Sequence, residues 1–208
     1  YRRRVVAIRG KNSSTHAFSV TINKFEDSIY IVSFADISET ILENMQLEEK
    51  TLKDKLTNAY NREFFENNYQ RLIETFKSED MYFGLAMIDI DNFKNINDSY
   101  GHNIGDEILI NLVSIINKFS RNDDILIRWG GEEFIIILKV SSEDRLNIIL
   151  ENIRKTIEKS KIDKLPTITC SFGGTIYENN EQINDTIKRA DEALYIAKAN
   201  GKNKVILK

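Results

Sequence analysis

The chain holds one cysteine in 208 residues, and none of its apolar runs is long enough to cross a bilayer. A single cysteine excludes a disulfide framework. Its place in the run TITCSF makes Cys170 a small buried hydrophobe rather than a nucleophile. No signal-peptide pattern opens the sequence, so a cytoplasmic, reducing setting is the expectation. The sequence begins at Tyr1 rather than Met, as a piece of a longer protein would, and a membrane anchor further upstream would not be visible in it. Net charge is small as well: 29 basic against 32 acidic residues leave −3. That mild acidity argues against a surface built to coat nucleic acid, and no nucleic-acid partner is expected. Neither a Walker A run nor a GxGxxG loop occurs, so phosphates would have to be held by other means. What remains, with 41% hydrophobic residues, is one sizeable core plus an appendage.

The first forty residues read as strands. RRVVAI, THAFSVTIN and SIYIVSFAD are β-branched and aromatic runs, separated by RGKNSS and KFED turns. Three antiparallel strands ending in ADISE resemble the second half of a PAS sensor domain, and residues 1–39 are assigned to such a partial segment. Three strands leave a face uncovered, to be packed on another copy or on a neighbouring domain. The stretch ETILENMQLEEKTLKDKLTNAY has neither Gly nor Pro. Leu42, Met45, Leu52, Leu56 and Ala59 recur there in steps of three and four, with Glu49 as the polar exception. That spacing predicts a short dimerising coiled coil or a single amphipathic helix, with residues 40–53 as the linker.

From residue 54 the pattern turns α/β. MYFGLAMIDID is a buried strand, NFKNINDSYG and GDEILINLVSIINKFS are helices, and DILIRW with EEFIIILKV form a hairpin across Gly130-Gly131. An amphipathic helix SEDRLNIILENIRKTIEKS, a strand TITCSFGGTIY, a helix INDTIKRADEALYIAKANG and a last strand KVILK follow. The order predicts an α+β fold, a palm or ferredoxin-like mixed sheet with flanking helices on one face.

The chemistry gathers around RWGGEEF. A solvated turn needs only the glycines, yet two carboxylates follow them. Asp89 ends the apolar strand in MIDIDNFKNIN, where a carboxylate is costly to bury unless it caps a helix or meets a cation. Asp91, two residues on, is expected to cap the helix that begins near Asn92. Asp89 with Glu132 and Glu133 makes a hard oxygen site of the kind Mg²⁺ uses alongside substrate phosphates. Amides entering the NFK helix and the lysines near Gly201 are the candidates for holding those phosphates.

These stretches together resemble the GGDEF family of diguanylate cyclases, in its GGEEF form. The agreement covers residues 54–208, with DKLTNAYNR, DIDNFKNINDSYGHNIGDEIL, RWGGEEF, TCSFG and KRADEALYIAKANGKN in the family's order. The resemblance implies that two GTP molecules are joined into cyclic di-GMP with release of two pyrophosphates, across a homodimer, with Mg²⁺ or Mn²⁺. It implies Asp89, the backbone carbonyl of Ile90, Glu132 and Glu133 as metal ligands, with Glu133 alternatively helping to activate the ribose 3′-hydroxyl. Lys94 would neutralise charge near the phosphates. Asn97 and Asp106 would read guanine, Phe93 and His102 would line the nucleoside pocket, and Gly130 and Gly131 would admit the nucleotide. Lys198 and Lys202 would clamp the triphosphate; the family often has arginine at the second position. Arg121 and Asp124 in RNDD resemble the family's RxxD inhibitory site for the product. A further arginine that the family supplies to that site falls on Asn152, with Arg154 two places on. The alternative to a cyclase is a catalytically silent domain that senses GTP or cyclic di-GMP. An ATP-using branch has serine in place of Asp106, so aspartate favours guanine.

Overall fold

The computed structural model describes residues 2–9, 15–26, 29–41, 52–121, 123–160, 165–179 and 181–208. The chain divides into two compact units, Tyr1–Thr51 and Leu52–Lys208. Among the described residues no helix is long and apolar enough to cross a membrane.

The first unit is an antiparallel sheet of β1 (Arg2–Arg9), β2 (Thr15–Glu26) and β3 (Ile29–Asp36), in the order β1-β2-β3. Its exit is stapled by hydrogen bonds that meet at Ser38. The Asp36 carboxylate accepts from the Ser38 amide at 2.9 Å and the Ser38 hydroxyl at 2.6 Å, and the Ser38 oxygen accepts from the Ala17 amide at 2.9 Å. A helical turn, α1, follows over residues 38–41.

The heptad seam is only partly within the described residues: Leu42, Met45 and Glu49 lie outside them. Its later positions are not helical. Lys53 bridges antiparallel to Tyr60, and Asn58 takes a left-handed φ of 60°. Asp54 bonds the Thr57 amide at 2.9 Å and the Thr57 hydroxyl at 2.6 Å. Such side-chain bonds offer the backbone an alternative to a helix. Leu56 and Ala59 turn inward onto the core of the second unit instead of forming a seam.

The second unit is a six-stranded mixed sheet in the order β4-β6-β7-β5-β8-β9. It comprises β4 (Tyr60–Asn61), α2 (Arg62–Ser78), β5 (Tyr82–Ile90), α3 (Phe93–Tyr100), α4 (His102–Asn117), β6 (Ile125–Gly130), β7 (Glu133–Val140), α5 (Glu143–Lys159), β8 (Cys170–Ile176), α6 (Ile183–Ala199) and β9 (Val205–Leu207). The central β6-β7-β5-β8 pairs are antiparallel, and the short edge strands β4 and β9 add in parallel. The mixed α+β architecture agrees with the sequence reading, and α2 is an addition to it.

Helices cover both faces of this sheet rather than one. The alternation along β5 explains why. Ala86, Ile88 and Ile90 join α4 and α5 in one core, while Phe83, Leu85 and Met87 join α2 and α6 in the other. All of β5 after Tyr82 is buried, which is how a strand between two helical layers should read. α5 shows the matching stripe: Leu146, Leu150, Ile153 and Ile157, at most 1% exposed, recur at helical spacing. Burying each contributes about 1.5–3 kcal/mol. Ser142 starts that helix by accepting the Arg145 amide at 3.1 Å. Cys170 is fully buried and free, and burial pushes its thiol well up, as expected of a core residue.

Candidate active site

Register brings the first two acids together. β5 and β7 pair Asp89 with Glu133, and β5 and β8 pair Asp89 with Ser171, so Asp89 ends the strand between two neighbours. The β6–β7 turn sits one residue later than the glycine pair suggests. Gly130 still belongs to β6 and pairs with Glu133, so Gly131 and Glu132 make the turn. The cause is an irregularity between Arg128 and Gly130. There Trp129 packs edge-on against Phe65 at 5.6 Å and lies under the Arg62 guanidinium at 4.5 Å. Gly131 takes a left-handed φ of 52°, and a Cβ at Gly130 or Gly131 would meet nothing within 4 Å. The space in front of the tip is open.

Charge around that tip is crowded. Asp89 is 7% exposed, and Lys198 from the last turn of α6 reaches its carboxylate at 2.7 Å. Burial pushes the Asp89 carboxyl up; Lys198 opposes this, while Glu132 and Asp91 add to it. Burial likewise raises Glu133, helped by Asp89, Asp191 and Glu132 and opposed by Lys198. Carboxylates that raise one another in this way suit a hard cation. Among the described residues no three His, Cys, Asp or Glu side chains are gathered closely enough to hold a metal by themselves. That is compatible with Mg²⁺, which takes one or two carboxylates and completes its shell with water and phosphate oxygens. Asp89, one of the two glutamates and the Ile90 carbonyl are the candidate donors.

Asp91 does not cap α3. Asn92 occupies the cap position in a left-handed conformation and makes no side-chain capping bond. The Asp91 carboxylate instead accepts from the Thr169 hydroxyl at 2.7 Å, the Ser171 hydroxyl at 2.6 Å and the Asn203 amide at 3.0 Å. Three donors, from Thr169 just before β8, Ser171 within it and Asn203 after α6, outcompete a single capping bond. Asp91 thereby ties both ends of the later chain to the β5–α3 loop. Lys202 adds to the knot by donating to the Asn92 side chain. The hydroxyls of Thr169 and Ser171 went unread in the sequence, although their period-two spacing in TITCSF was the signal.

The guanine-reading candidates lie on the α3–α4 corner. The Asn97 side-chain oxygen is buried without a hydrogen-bond partner among the described residues. A Cβ at Gly105 would come within 2.0 Å of it, so this glycine admits Asn97. Sequence reading missed Gly105; an interior helix glycine in GHNIGDE was the clue. His102 and Asp106 are exposed, four residues apart on the first turns of α4. Lys94 is exposed on the first turn of α3, whereas Phe93 is 7% exposed with its ring in the core.

Arg128 was also missed. Its guanidinium donates to the Gly131 carbonyl at 2.9 and 3.1 Å and to Asp54 at 3.0 Å, which fixes the tip from below. At the far end of β6, Asp124 bends back onto its own chain, accepting the Arg121 amide at 2.8 Å and the Lys139 amide at 3.4 Å. Burial raises its carboxyl. Arg121 is exposed. Arg154 is committed elsewhere, to Glu151, Glu158 and the Asn203 side chain, and Asn152 is exposed.

Residues 51–204 match the family described as "Diguanylate cyclase, GGDEF domain". The chain is 34% identical over 201 residues to diguanylate cyclase DgcM of Escherichia coli K12, covering 95% of this chain and 48% of that protein. It is 36% identical over 204 residues to diguanylate cyclase A of Treponema denticola, covering 95% and 54%. The chain thus spans about half the length of the curated relatives it matches. The structure of the coiled coil and GGDEF domain of DgcB from Caulobacter crescentus, in complex with c-di-GMP, superposes with a TM-score of 0.75 at 29% identity, over 82% of this chain and 93% of that one. With its acids, glycines and helix corner arranged on that shared fold, the chain belongs to the GGDEF diguanylate cyclase domain family.

Proposed function

We propose that this chain joins two GTP molecules into cyclic di-GMP, releasing two pyrophosphates, across two copies of itself. The observation that carries the reading is the pairing of Asp89 with Glu133 beneath an open glycine tip, with Lys198 at 2.7 Å from Asp89. A bound Mg²⁺ or Mn²⁺ would neutralise the triphosphate and polarise its α-phosphate. Each ribose 3′-oxygen attacks the α-phosphorus of the other nucleotide; a P–O bond forms there and the bond to pyrophosphate breaks. Glu133 is the nearby group suited to take the 3′ proton or, alternatively, to share the metal. Lys94, Lys198 and Lys202 offset phosphate charge, and Asp106 with Asn97 accepts from and donates to the guanine edge. Positioning supplies most of the acceleration in such a displacement. The RNDD turn is the proposed site of product inhibition, through Arg121 and Asp124. The β1–β3 sheet is the proposed remnant of a PAS-like sensing segment, joined by a linker over residues 40–53, and a cytoplasmic setting fits that signalling role.

Two neighbouring aspartates make the test. Incubation with GTP and Mg²⁺, followed by chromatography, should yield cyclic di-GMP. Asp89→Asn should abolish it while leaving the melting temperature nearly unchanged, because Asp89 works through charge on the metal. Asp91→Asn should lower the melting temperature, because its carboxylate bonds three donors of the fold. Near-normal turnover by Asp89→Asn would overturn the metal assignment. No product from the wild-type protein would overturn the cyclase reading.

A further inference from the structure

Tyr195 is 73% exposed, more than any other large hydrophobic residue among those described. It forms no hydrogen bond or ring contact within its own described fold. A lone exposed aromatic is ordinary on a protein surface; its position here is not. α6 buries Thr186, Ala190, Ala193, Leu194 and Ala197 against the sheet, so Tyr195 points away from it. Three residues on, one helical step along the same face, Lys198 holds Asp89 at 2.7 Å. Four residues back, Asp191 is close enough to push the Glu133 carboxyl up. The ring therefore stands on the rim of the acid pair, between two charges that face it.

The reaction requires a second copy at this rim. Each chain presents one Asp89–Glu133 pair, and the product contains two nucleotides, so the site is complete only when two copies face each other. Tyrosine suits such a junction: its ring covers apolar area with little side-chain entropy lost, and its hydroxyl keeps a polar partner.

We propose that Tyr195 acts in trans, packing against the facing copy beside that copy's nucleotide and setting the distance between one 3′-hydroxyl and the other α-phosphate. It is a positioning residue, and this inference rests on the two-copy reading above. Its loss should leave each half-site able to bind its own GTP. A misplacement of about 1 Å costs roughly 10²-fold in rate, so kcat is where the effect should fall.

The experiment compares Tyr195→Ala, Tyr195→Phe and Tyr195→Cys in the full chain. Tyr195→Ala should lower kcat about 10- to 100-fold. Its melting temperature and its affinity for 3′-deoxy-GTP, which binds but has no 3′ nucleophile, should stay near wild type. Tyr195→Phe should restore most of the rate. Because the natural Cys170 is fully buried, Tyr195→Cys introduces the accessible thiol for a bis-maleimide crosslinker. Crosslinked dimer should form with Mg²⁺ and 3′-deoxy-GTP and fade without the nucleotide. A Tyr195→Ala variant with wild-type kcat, or one whose lost activity is matched by lost nucleotide affinity, overturns the proposal. Crosslinking that is absent or indifferent to nucleotide overturns it too, and that arm decides even if the wild-type protein makes no cyclic di-GMP.

Discussion

Arg128 holds Asp54 at 3.0 Å across 74 residues of sequence, and its remaining N–H groups close on the carbonyl of Gly131. One side chain thus joins the turn that opens the second unit to the tip of the β6–β7 hairpin. Burial pushes the Asp54 carboxyl up, but hydrogen bonds from Thr57 and Arg128 outweigh it and leave the group below the usual carboxylate range. A depressed carboxyl contributes stability above its unfolded value and loses it as pH falls through the folded one. Arg128→Met should therefore cost about 1–3 kcal/mol at neutral pH, with the gap to wild type narrowing on acidification below about pH 4. Melting curves from pH 7 to pH 3 check this. A gap independent of pH would mean that Arg128 acts through its bonds to the Gly131 carbonyl and its packing rather than through Asp54.

Gly105→Ala separates stability from binding. Alanine favours a helix interior by about 1 kcal/mol over glycine. The added Cβ would lie 2.0 Å from the Asn97 side-chain oxygen, which must swing aside. The displaced group is the end of a flexible side chain, so the fold should tolerate it. The expected result is an unchanged or higher melting temperature with KM for GTP raised on the order of tenfold, as befits one lost hydrogen bond. Unchanged KM would remove Asn97 from the nucleotide site.

The placement of Asp89 at a strand end and of Gly131 and Glu133 at a hairpin tip was legible in the sequence because strand periodicity and turn chemistry are local: an acid after an apolar run and a glycine pair between two such runs announce themselves. Asp91 was not, since its partners Thr169, Ser171 and Asn203 come from distant segments, and helix capping was the local competitor. The one-residue shift of the hairpin turn has the same origin, in the seating of Trp129 against Phe65 of α2. Leu56 and Ala59 kept heptad spacing by coincidence of pattern, while Asp54, Thr57 and Asn58 broke the helix. The second helical layer was hidden because β5 is apolar on both faces, a pattern that shows burial without saying what covers it.

The junction between β8 and α6 should be sensitive to acid. Arg189 donates to the Glu181 carboxylate, to the Thr175 hydroxyl at 3.0 Å and to the Ile176 carbonyl at 2.7 Å. The arginine's hydrogen bonds, ahead of every other influence, lower the Glu181 carboxyl from 4.5 to about 2. Its contribution is fully present above about pH 4.5 and is lost as pH falls toward about 2. Arg189→Met should therefore melt below wild type at pH 7, with a smaller difference at pH 3. An equal difference at both would show that the hydrogen bonds to Thr175 and Ile176, not the ion pair, carry the effect.

Lys139 is the pin of the RNDD turn. Its backbone amide donates to Asp124 at 3.4 Å, and its ammonium pairs with Asp123 at 3.3 Å and with Glu79 from the turn after α2. Hydrogen bonding to Glu79, reinforced by Asp123, raises the ammonium above its ordinary value, so it stays charged throughout the physiological range. Lys139 of β7 thus contacts both acids of the turn, Asp124 being held by the Arg121 amide as well, and the exposed Arg121 is presented by a loop held from beneath. Lys139→Met keeps the amide bond but removes the ammonium, leaving Asp123 and Glu79 to repel each other. If product binds at this turn, a looser turn should bind it more weakly, while the distant Asp89–Glu133 pair is untouched. The expected outcome is an initial rate of GTP conversion near wild type and several-fold weaker inhibition by added cyclic di-GMP, in the direction of Arg121→Ala. Progress curves with and without added product measure both quantities. Inhibition as strong in Lys139→Met as in wild type would show that the ammonium does not order the turn for product, and loss of initial rate would tie Lys139 to the catalytic end of the sheet instead.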